Sequence, residues 1–205
     1  MTVAIVNYEL GNVRSVANAF EAVGARVIVT SDVHDLNSAD HLVLPGVGAF
    51  EDGIKNLKRL DLVDILTELV VDKKKPFIGM CLGMQLVAQK SYENGEFAGL
   101  GWVDAEVVRF ALTEQELKVP HVGWNDVVCI KDNPLFGAAS GIFSYYFVHS
   151  YHMVCNDLSN VIATCDYGIN FVAAIQKDNI FATQFHPEKS QKHGLLLLKN
   201  FINYG

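Results

Sequence analysis

A cysteine flanked by glycines is the residue of this sequence best placed for nucleophilic chemistry. The pentapeptide Gly79-Met80-Cys81-Leu82-Gly83 fits the pattern Gly-x-nucleophile-x-Gly, with cysteine in the position of the serine of many hydrolases. An apolar run ends here and a helical pattern begins, so Cys81 would lie on a sharp strand-to-helix turn. The start of a helix favours a thiolate and can offer a backbone N–H to an oxyanion. The alternative is a buried core cysteine, a common environment for this residue type.

A base and a group to orient it lie close together near the end of the sequence. The tripeptide His186-Pro187-Glu188 follows a strand predicted over residues 180–184, and the proline restricts the backbone there. We therefore expect His186 and Glu188 to project from one rigid turn toward a common point. A thiol nucleophile needs a base, and the base needs an orienting group. An isolated histidine is more often structural, but the combination with Cys81 favours a catalytic Cys–His–Glu triad.

A third candidate element is the turn Pro45-Gly46-Val47-Gly48, at the carboxyl end of a strand predicted over residues 41–44. Two glycines let backbone N–H groups approach a ligand without obstruction by a Cβ atom, which suits an oxyanion hole. An ordinary turn between strand and helix is the alternative. Because ligands of open α/β sheets bind at the carboxyl ends of the strands, this turn should lie near Cys81.

The elements that must position these groups alternate between strand and helix over the first ninety residues. Apolar runs predict strands at residues 3–7, 26–29, 41–44 and 77–80. Helical spacing predicts helices at residues 13–23, 50–58, 60–72 and 82–90, the first of them capped by Asn12. This order predicts right-handed crossovers and a parallel sheet.

The second half of the chain is richer in short β-type runs. Strands are predicted at residues 102–110, 127–130, 142–151, 161–165, 171–176 and 180–184, with a hairpin around Lys177-Asp178-Asn179 and a closing helix at 190–203. No linker, repeat or low-complexity block divides the sequence. We expect one α/β domain over residues 1–205, with a mixed, mainly parallel sheet flanked by helices and additional antiparallel strands in its second half.

The composition narrows the classes of protein to which the chain can belong. Of the 205 residues, 50% are hydrophobic and 19% charged, and the net charge is −7, which indicates a globular fold without affinity for nucleic acid. The longest apolar run has five residues, far below the ~20 that a membrane helix needs. Four cysteines without a Cys-x-x-Cys spacing favour neither a disulfide framework nor a zinc site. We expect a cytoplasmic protein with no metal and no cofactor.

Several motifs in order along the chain resemble those of the class I, triad-type glutamine amidotransferases, and within them the glutaminase subunits of imidazole glycerol phosphate synthase. They are the Cys81, His186 and glycine-turn motifs above, the N-terminal block from Asn7 to Ser15, Pro120-His121-Val122-Gly123-Trp124-Asn125 and Tyr146-Phe147-Val148-His149-Ser150-Tyr151. The resemblance extends from residue 3 to beyond residue 190. It implies the flavodoxin-like amidotransferase fold and hydrolysis of L-glutamine to L-glutamate and ammonia.

The resemblance also implies a partner. A separate cyclase or synthase subunit, a (β/α)8 barrel bound as a heterodimer, would use the ammonia to make imidazole glycerol phosphate and AICAR in histidine biosynthesis. Such a barrel typically needs about 250 residues, more than the whole chain has.

Each matching residue acquires an implied role. Cys81 would attack the side-chain amide of glutamine to give a γ-glutamyl thioester, while His186 would transfer protons and Glu188 would orient His186. The remaining roles are an oxyanion hole formed by Val47, Gly48 and Leu82, a glutamine-binding set of Gly46, Gln85, His149, Ser150 and Tyr151, and a partner-facing set of Asn12, Trp124 and Tyr146.

One departure from the family pattern lies near the first strand. Where the family usually reads Asp-Tyr-Gly, this chain reads Asn7-Tyr8-Glu9, so Glu9 stands where the partner should dock. Amidotransferases that supply ammonia for surface-polysaccharide amidine synthesis share most of the motifs, so that acceptor stays open. A noncatalytic regulatory module and a stand-alone α/β thiol hydrolase or esterase are further alternatives. The intact triad argues against the first of these, and the full glutamine pocket against the second.

Overall fold

In the computed structural model, which describes residues 1–112, 117–137 and 141–205, the first half of the chain alternates strand and helix. The strands are β1 (Thr2–Val6), β2 (Arg26–Thr30), β3 (His41–Leu44) and β4 (Phe77–Met80). The helices are α1 (Val13–Ala22), α2 (Val33–Ser38), α3 (Phe50–Arg59), α4 (Leu62–Thr67), which widens into a π-helical turn at Glu68–Asp72, and α5 (Leu82–Leu86). The side chain of Asn12 caps α1 by accepting a hydrogen bond from the Ser15 N–H at 3.3 Å.

Strands dominate the second half. They are β5 (Lys90–Ser91), β6 (Phe97–Ala98), β7 (Ala105–Arg109), β8 (His121–Cys129), β9 (Ile142–His149), β10 (Tyr151–Cys155), β11 (Val161–Asp166), β12 (Asn170–Lys177) and β13 (Ile180–Thr183). Short 3₁₀ turns form at Leu158–Asn160 and Pro187–Lys189, and helix α6 (Gln191–Ile202) closes the fold.

Within the described ranges the strands form two sheets. The main sheet has the order β2-β1-β3-β4-β13-β12-β11-β8-β9, and the smaller one the order β10-β7-β5-β6. The main sheet is parallel from β2 to β13 and antiparallel from β13 to β9. In the predicted hairpin, Lys177 lies opposite Ile180. The expected α/β class, with a mixed sheet flanked by helices, is confirmed.

Both faces of the main sheet are covered by apolar side chains. Successive residues of a strand point to opposite faces, so Val3 and Ile5 of β1 pack with α1 and α6, whereas Ala4 and Val6 pack with α3, α5 and the smaller sheet. The central strands β3 and β4 are buried along their whole length, as expected of parallel strands between two helical layers. Their carboxyl ends lead directly into the glycine turn and into Cys81.

Several elements differ from the sequence prediction. Strands β5 and β6 were not predicted, and the strand predicted over residues 142–151 is divided between β9 and β10, which belong to different sheets. Helix α2 was not predicted, because Leu36 is its only buried residue and leaves no hydrophobic period. Helix α5 ends at Leu86 instead of residue 90, since the chain turns there to pair with the start of β7, where the Gln89 N–H donates to the Ala105 carbonyl at 2.9 Å. Strand β8 begins at residue 121 instead of 127, because exposed residues alternate with buried ones along it. Of the described helices, none is long and apolar enough to span a membrane.

Candidate active site

Cys81 lies on a tight turn between β4 and α5. Its φ of 52° and ψ of −106° are unusual for a residue with a side chain, and such strain is typical of functional positions. The Cys81 N–H donates to the Thr183 carbonyl of β13 at 2.8 Å, and its own carbonyl accepts from Met84 at 3.1 Å. The neighbouring strand therefore holds the predicted nucleophile in this conformation.

Close backbone contacts explain both glycines that flank Cys81. A Cβ atom at Gly79 would lie 2.5 Å from the carbonyl oxygen of Gly83, and one at Gly83 would overlap the carbonyl oxygen of Leu44. Any larger residue would push α5 away from the ends of β3 and β4. The Gly-x-Cys-x-Gly spacing thus follows from how tightly the turn packs.

His186 and Glu188 form a buried pair beside this turn. The 3₁₀ turn at Pro187–Lys189 brings Glu188 Oε1 to 2.8 Å from His186 Nδ1. The two side chains are only 4% and 3% exposed. With Nδ1 donating to the carboxylate, the other ring nitrogen, Nε2, is left for a reacting group.

Two opposing effects set the charge of His186. Burial lowers its pKa, but the interactions of the ring with Cys81 and with the Glu188 carboxylate outweigh burial and raise the pKa to about 10. His186 Nε2 and Glu188 Oε2 are buried without a partner that meets hydrogen-bond geometry in the described residues, so the attraction between His186 and Cys81 is electrostatic in this state. Catalytic hydrogen bonds are often long before substrate binds.

The glycine turn after β3 contacts the start of α5. The Leu82 N–H donates to the Gly46 carbonyl oxygen at 3.4 Å. Because N–H and C=O of one trans peptide point in opposite directions, the Val47 N–H points away from Leu82. Gly48 has a φ of 107°, a conformation that glycine adopts without strain.

Gly46 lies behind this turn, against Tyr8. A Cβ atom there would collide with the Tyr8 hydroxyl and lie 2.8 Å from Leu82 Cβ. The Tyr8 hydroxyl in turn donates to the Pro45 carbonyl at 2.7 Å. Gly46 is therefore placed outside the cleft in which the other predicted glutamine-binding residues lie.

A cleft of about 300 Å³ opens over Cys81, at the lower end of the range for small-molecule sites. Its lining brings together most of the predicted oxyanion and glutamine-binding residues and adds three that the sequence did not suggest. The predicted ones are Val47, Gly48, Cys81, Leu82, Gln85, His149, Ser150 and Tyr151, and the additional ones are Glu93, Pro120 and Val148.

The amide of Gln85 is fixed by two acceptors. Its Nε2 donates to the Tyr151 carbonyl at 3.0 Å and to Gln184 Oε1 at 3.2 Å. Both amide hydrogens are used in this way, which leaves Oε1 of Gln85 as an acceptor for a ligand.

Glu93 places a carboxylate at the cleft wall and is one of the residues that the sequence prediction missed. Its Oε2 accepts a hydrogen bond from the Phe50 N–H, the start of α3, at 2.8 Å. The loop between β5 and β6 thereby positions a negative charge in the cleft that His149 and Tyr151 also line, with its second oxygen left over. No local pattern around Glu93 marks it, since only the folded chain brings it to this site.

Two buried histidines form a hydrogen-bonded pair at the far side of the cleft. His149 Nδ1 lies 2.8 Å from the Tyr151 carbonyl, and His121 Nδ1 lies 3.0 Å from His149 Nε2. A carbonyl only accepts, so His149 carries its proton on Nδ1 and His121 donates to it. Burial lowers the pKa of His121 to about 4 and that of His149 to about 3, so both rings are neutral at pH 7.

The residues predicted to face a partner differ in exposure. Trp124 is 49% exposed and lies opposite Tyr146 across β8 and β9, with ring centroids 6.2 Å apart. Lys189 Nζ lies 5.6 Å from the centre of the Tyr146 ring. Asn12 is also exposed, and its side chain caps α1.

Glu9 has a φ of 66°, in the left-handed region that favours glycine. This conformation accounts for the glycine that the resembling family usually has there. The Glu9 carboxylate pairs with Arg59 at the surface. Separately, among the described residues no group of three or more His, Cys, Asp and Glu side chains is arranged to hold a metal ion.

Comparisons with known proteins match this chain over nearly its whole length. A family model described as glutamine amidotransferase class-I matches residues 4–204. Imidazole glycerol phosphate synthase subunit HisH from Aquifex aeolicus is 49% identical over 203 residues, which cover 98% of this chain and 96% of that protein. Subunit HisH 1 from Campylobacter jejuni strain RM1221 is 48% identical over 200 residues, 98% of each chain. The solved structure of PurLQS from Thermotoga maritima has a TM-score of 0.76 at 17% identity, covering 99% of this chain and 98% of that one, a likeness of fold alone.

Proposed function

Because the chain belongs to the class-I glutamine amidotransferases, and among them to the HisH subunits of imidazole glycerol phosphate synthase, we propose that its cleft hydrolyses L-glutamine to L-glutamate and ammonia. The observation that supports this most directly is the buried His186–Glu188 pair, in which Nδ1 and Oε1 lie 2.8 Å apart. This leaves the other ring nitrogen of His186, Nε2, for the strained Cys81. This is the arrangement that activates a thiol nucleophile.

The reaction proceeds through a covalent intermediate on Cys81. The thiolate attacks the side-chain carbonyl carbon of glutamine, and the tetrahedral intermediate expels ammonia after His186 protonates the amine. The resulting γ-glutamyl thioester is attacked by water, whose proton returns to His186, and glutamate and the thiolate are released. Glu188 keeps the ring oriented and stabilises its positive charge throughout.

Substrate recognition follows from the groups that line the cleft. The free Oε1 of Gln85 and the carboxylate of Glu93 both favour the α-ammonium group of glutamine. The backbone from His149 to Tyr151 lines the same cleft and offers polar groups to the α-carboxylate end. This places the side-chain amide of the substrate at Cys81.

The ammonia passes to a separate synthase subunit, which makes imidazole glycerol phosphate and AICAR in histidine biosynthesis. The names of the HisH relatives support this acceptor. The docking surface is formed by the exposed Trp124, the half-buried Tyr146 beside it and Val122, which is 55% exposed. Clustered exposed apolar groups of this kind are typical of protein–protein contact sites. The partner is a (β/α)8 barrel bound as a heterodimer.

Labelling with a glutamine-derived electrophile, 6-diazo-5-oxo-L-norleucine, tests the proposal. We expect one adduct, located on Cys81 by mass spectrometry, whose formation is slowed by L-glutamine and abolished in Cys81→Ser. Cys129, Cys155 and Cys165 act as internal controls, because burial raises the pKa of each thiol to about 11 or 12 and keeps it unreactive. The proposal would be contradicted if the chain were not labelled, or if it were labelled equally fast with and without L-glutamine.

A further inference from the structure

A buried glutamine side chain outside the proposed triad contacts the sulfur of Cys81. Gln184 follows β13 directly and is completely buried. Its Nε2 lies 3.9 Å from Cys81 Sγ, and its Oε1 accepts from Gln85 Nε2 at 3.2 Å. The mechanism above leaves this side chain without a task.

The orientation of the Gln184 amide is determined by its neighbours. The Tyr151 carbonyl can only accept, so the group that Gln85 presents to it at 3.0 Å must be the NH₂ group. The second hydrogen of that NH₂ group then points at Gln184, so the atom of Gln184 that accepts it must be Oε1. Gln184 is therefore left with its NH₂ group toward the sulfur, and a flipped amide would oppose two donors.

The backbone holds the two groups in register. The Thr183 carbonyl accepts the Cys81 N–H at 2.8 Å, and the Gln184 N–H donates to Ala173 of β12 at 2.9 Å. Donor and sulfur thus belong to residues that directly follow the adjacent strands β13 and β4, and backbone hydrogen bonds hold both residues. Little freedom remains for the amide to move away.

A backbone carbonyl near the same sulfur makes this donor important. The thiol of Cys81 faces the Val148 carbonyl oxygen at 3.9 Å, which accepts from S–H but repels a thiolate. A donor N–H has the opposite preference, since it stabilises the ionised sulfur.

We infer that Gln184 donates a hydrogen bond to the Cys81 thiolate and, together with His186, sets the position and the ionisation of the nucleophile. The inference rests on the proposed role of Cys81 as nucleophile. Gln184 does not contact the substrate or transfer a proton. It acts by offsetting the Val148 carbonyl and by fixing the direction in which the sulfur points.

The test is the pH dependence of Cys81 alkylation by iodoacetamide, followed by mass spectrometry on the full chain. Gln184→Met keeps the side-chain length but has no donor. In this variant we expect the midpoint of the pH profile of Cys81 alkylation to rise by about one pH unit, as for loss of a hydrogen bond to a charged group. Below that midpoint, alkylation should be about tenfold slower. Gln184→Glu, which turns a carboxylate oxygen toward the sulfur, should shift it further. Both variants leave the other titratable groups around the sulfur unchanged. These groups are His186, Glu188, His149 and Tyr8.

Thr183→Val is the matched control, since Thr183 is equally buried in the same strand and donates to the Phe185 carbonyl instead of the sulfur. Its alkylation profile should superimpose on that of the unmodified chain. Profiles of Gln184→Met and Gln184→Glu that also superimpose would overturn the inference. Should one variant fail to fold by circular dichroism, the other decides. Failure of the unmodified chain to react at Cys81 would instead contradict the proposed nucleophile.

Discussion

The backbone N–H of Leu82 donates to the carbonyl oxygen of Gly46 at 3.4 Å. Two N–H groups, those of Leu82 and Val47, are expected to bind the oxyanion. The Leu82 N–H is occupied by the Gly46 carbonyl, which belongs to the same peptide unit as the Val47 N–H. Rotation of that single peptide would free Leu82 and turn the Val47 N–H inward at the same time. In this state the chain holds the proposed nucleophile Cys81 and the proposed base His186 without a formed oxyanion hole.

We therefore predict that the synthase partner with its acceptor ligand activates glutamine hydrolysis mainly through kcat. One oxyanion donor typically contributes about 10²–10³ in rate, so recruitment of both donors supplies activation of at least that order. The measurement is steady-state glutamate release with and without partner and acceptor ligand. Activation confined to KM at constant kcat would mean that the turn is not the limiting element.

The buried pair of His186 and Glu188 predicts unequal losses from the two single substitutions. His186→Ala removes the proton carrier and should reduce glutamine hydrolysis by about 10⁴-fold or more, whereas Glu188→Ala should cost about ten- to a hundredfold less, because it only orients the ring. Glutamate release measures both losses. Synthesis by the partner from added ammonia is the control and should survive in both variants, while equal small losses would contradict the triad.

The fold was largely predictable where burial produces a simple pattern. Strands β3 and β4 are covered on both faces, so they read as continuous apolar runs, and α1 carries its apolar stripe at helical spacing. Strand β8 was predicted only in part, because only one of its faces is buried and polar residues such as Asn125 interrupt the apolar run. Helix α2 covers too little core to have a hydrophobic period.

The site was predictable where its residues are neighbours in sequence. His186 and Glu188 are two positions apart, and the turn around Cys81 needs both of its glycines, so each motif carries its own geometry. Glu93 lies 43 positions in sequence from Phe50, at the start of α3, and Gln184 lies 103 positions from Cys81. Such contacts arise only from strand order and packing, although Gln184 lies at the end of the strand predicted over residues 180–184.

Glu93 yields a prediction about substrate affinity. Glu93→Gln keeps an acceptor for the Phe50 N–H but removes the negative charge at the cleft, so KM for glutamine should rise about tenfold or more with kcat nearly unchanged, as for loss of a charge-assisted hydrogen bond made equally before and during reaction. Steady-state kinetics in the activated complex measures both constants.

Glu96→Gln is the control for this charge change. Glu96 lies in the same loop and is exposed, but it does not line the cleft, so its removal should leave KM unaltered. If the two variants behave alike, Glu93 does not bind the α-ammonium group and acts only on α3.

The pair of His121 and His149 predicts how the stability of the chain depends on pH. Both pKa values lie below the ordinary value of about 6.5, at about 4 and about 3, so the unfolded chain binds more protons than the folded chain between these limits. The contribution of this pair to the free energy of unfolding should be complete above pH 6.5 and should fall as the pH drops toward 4 and 3, by up to about 1.4 kcal/mol per pH unit for each ring. Urea unfolding at a series of pH values measures this slope.

His121→Phe separates this pair from the other groups that titrate in acid. Phenylalanine preserves the stacking on Phe147 and Tyr167, whose ring centres lie 4.8 and 4.0 Å from that of His121, but leaves His149 Nε2 without a donor. The variant should therefore be less stable by about 1–3 kcal/mol at pH 7.5, yet lose stability less steeply between pH 6 and 4, by about 1.4 kcal/mol per pH unit. His34→Gln, at an exposed histidine outside the pair, is the control for loss of one imidazole. An unchanged slope in His121→Phe would show that the buried ring of His121 already carries a proton in the folded protein, and the neutral pair would have to be abandoned.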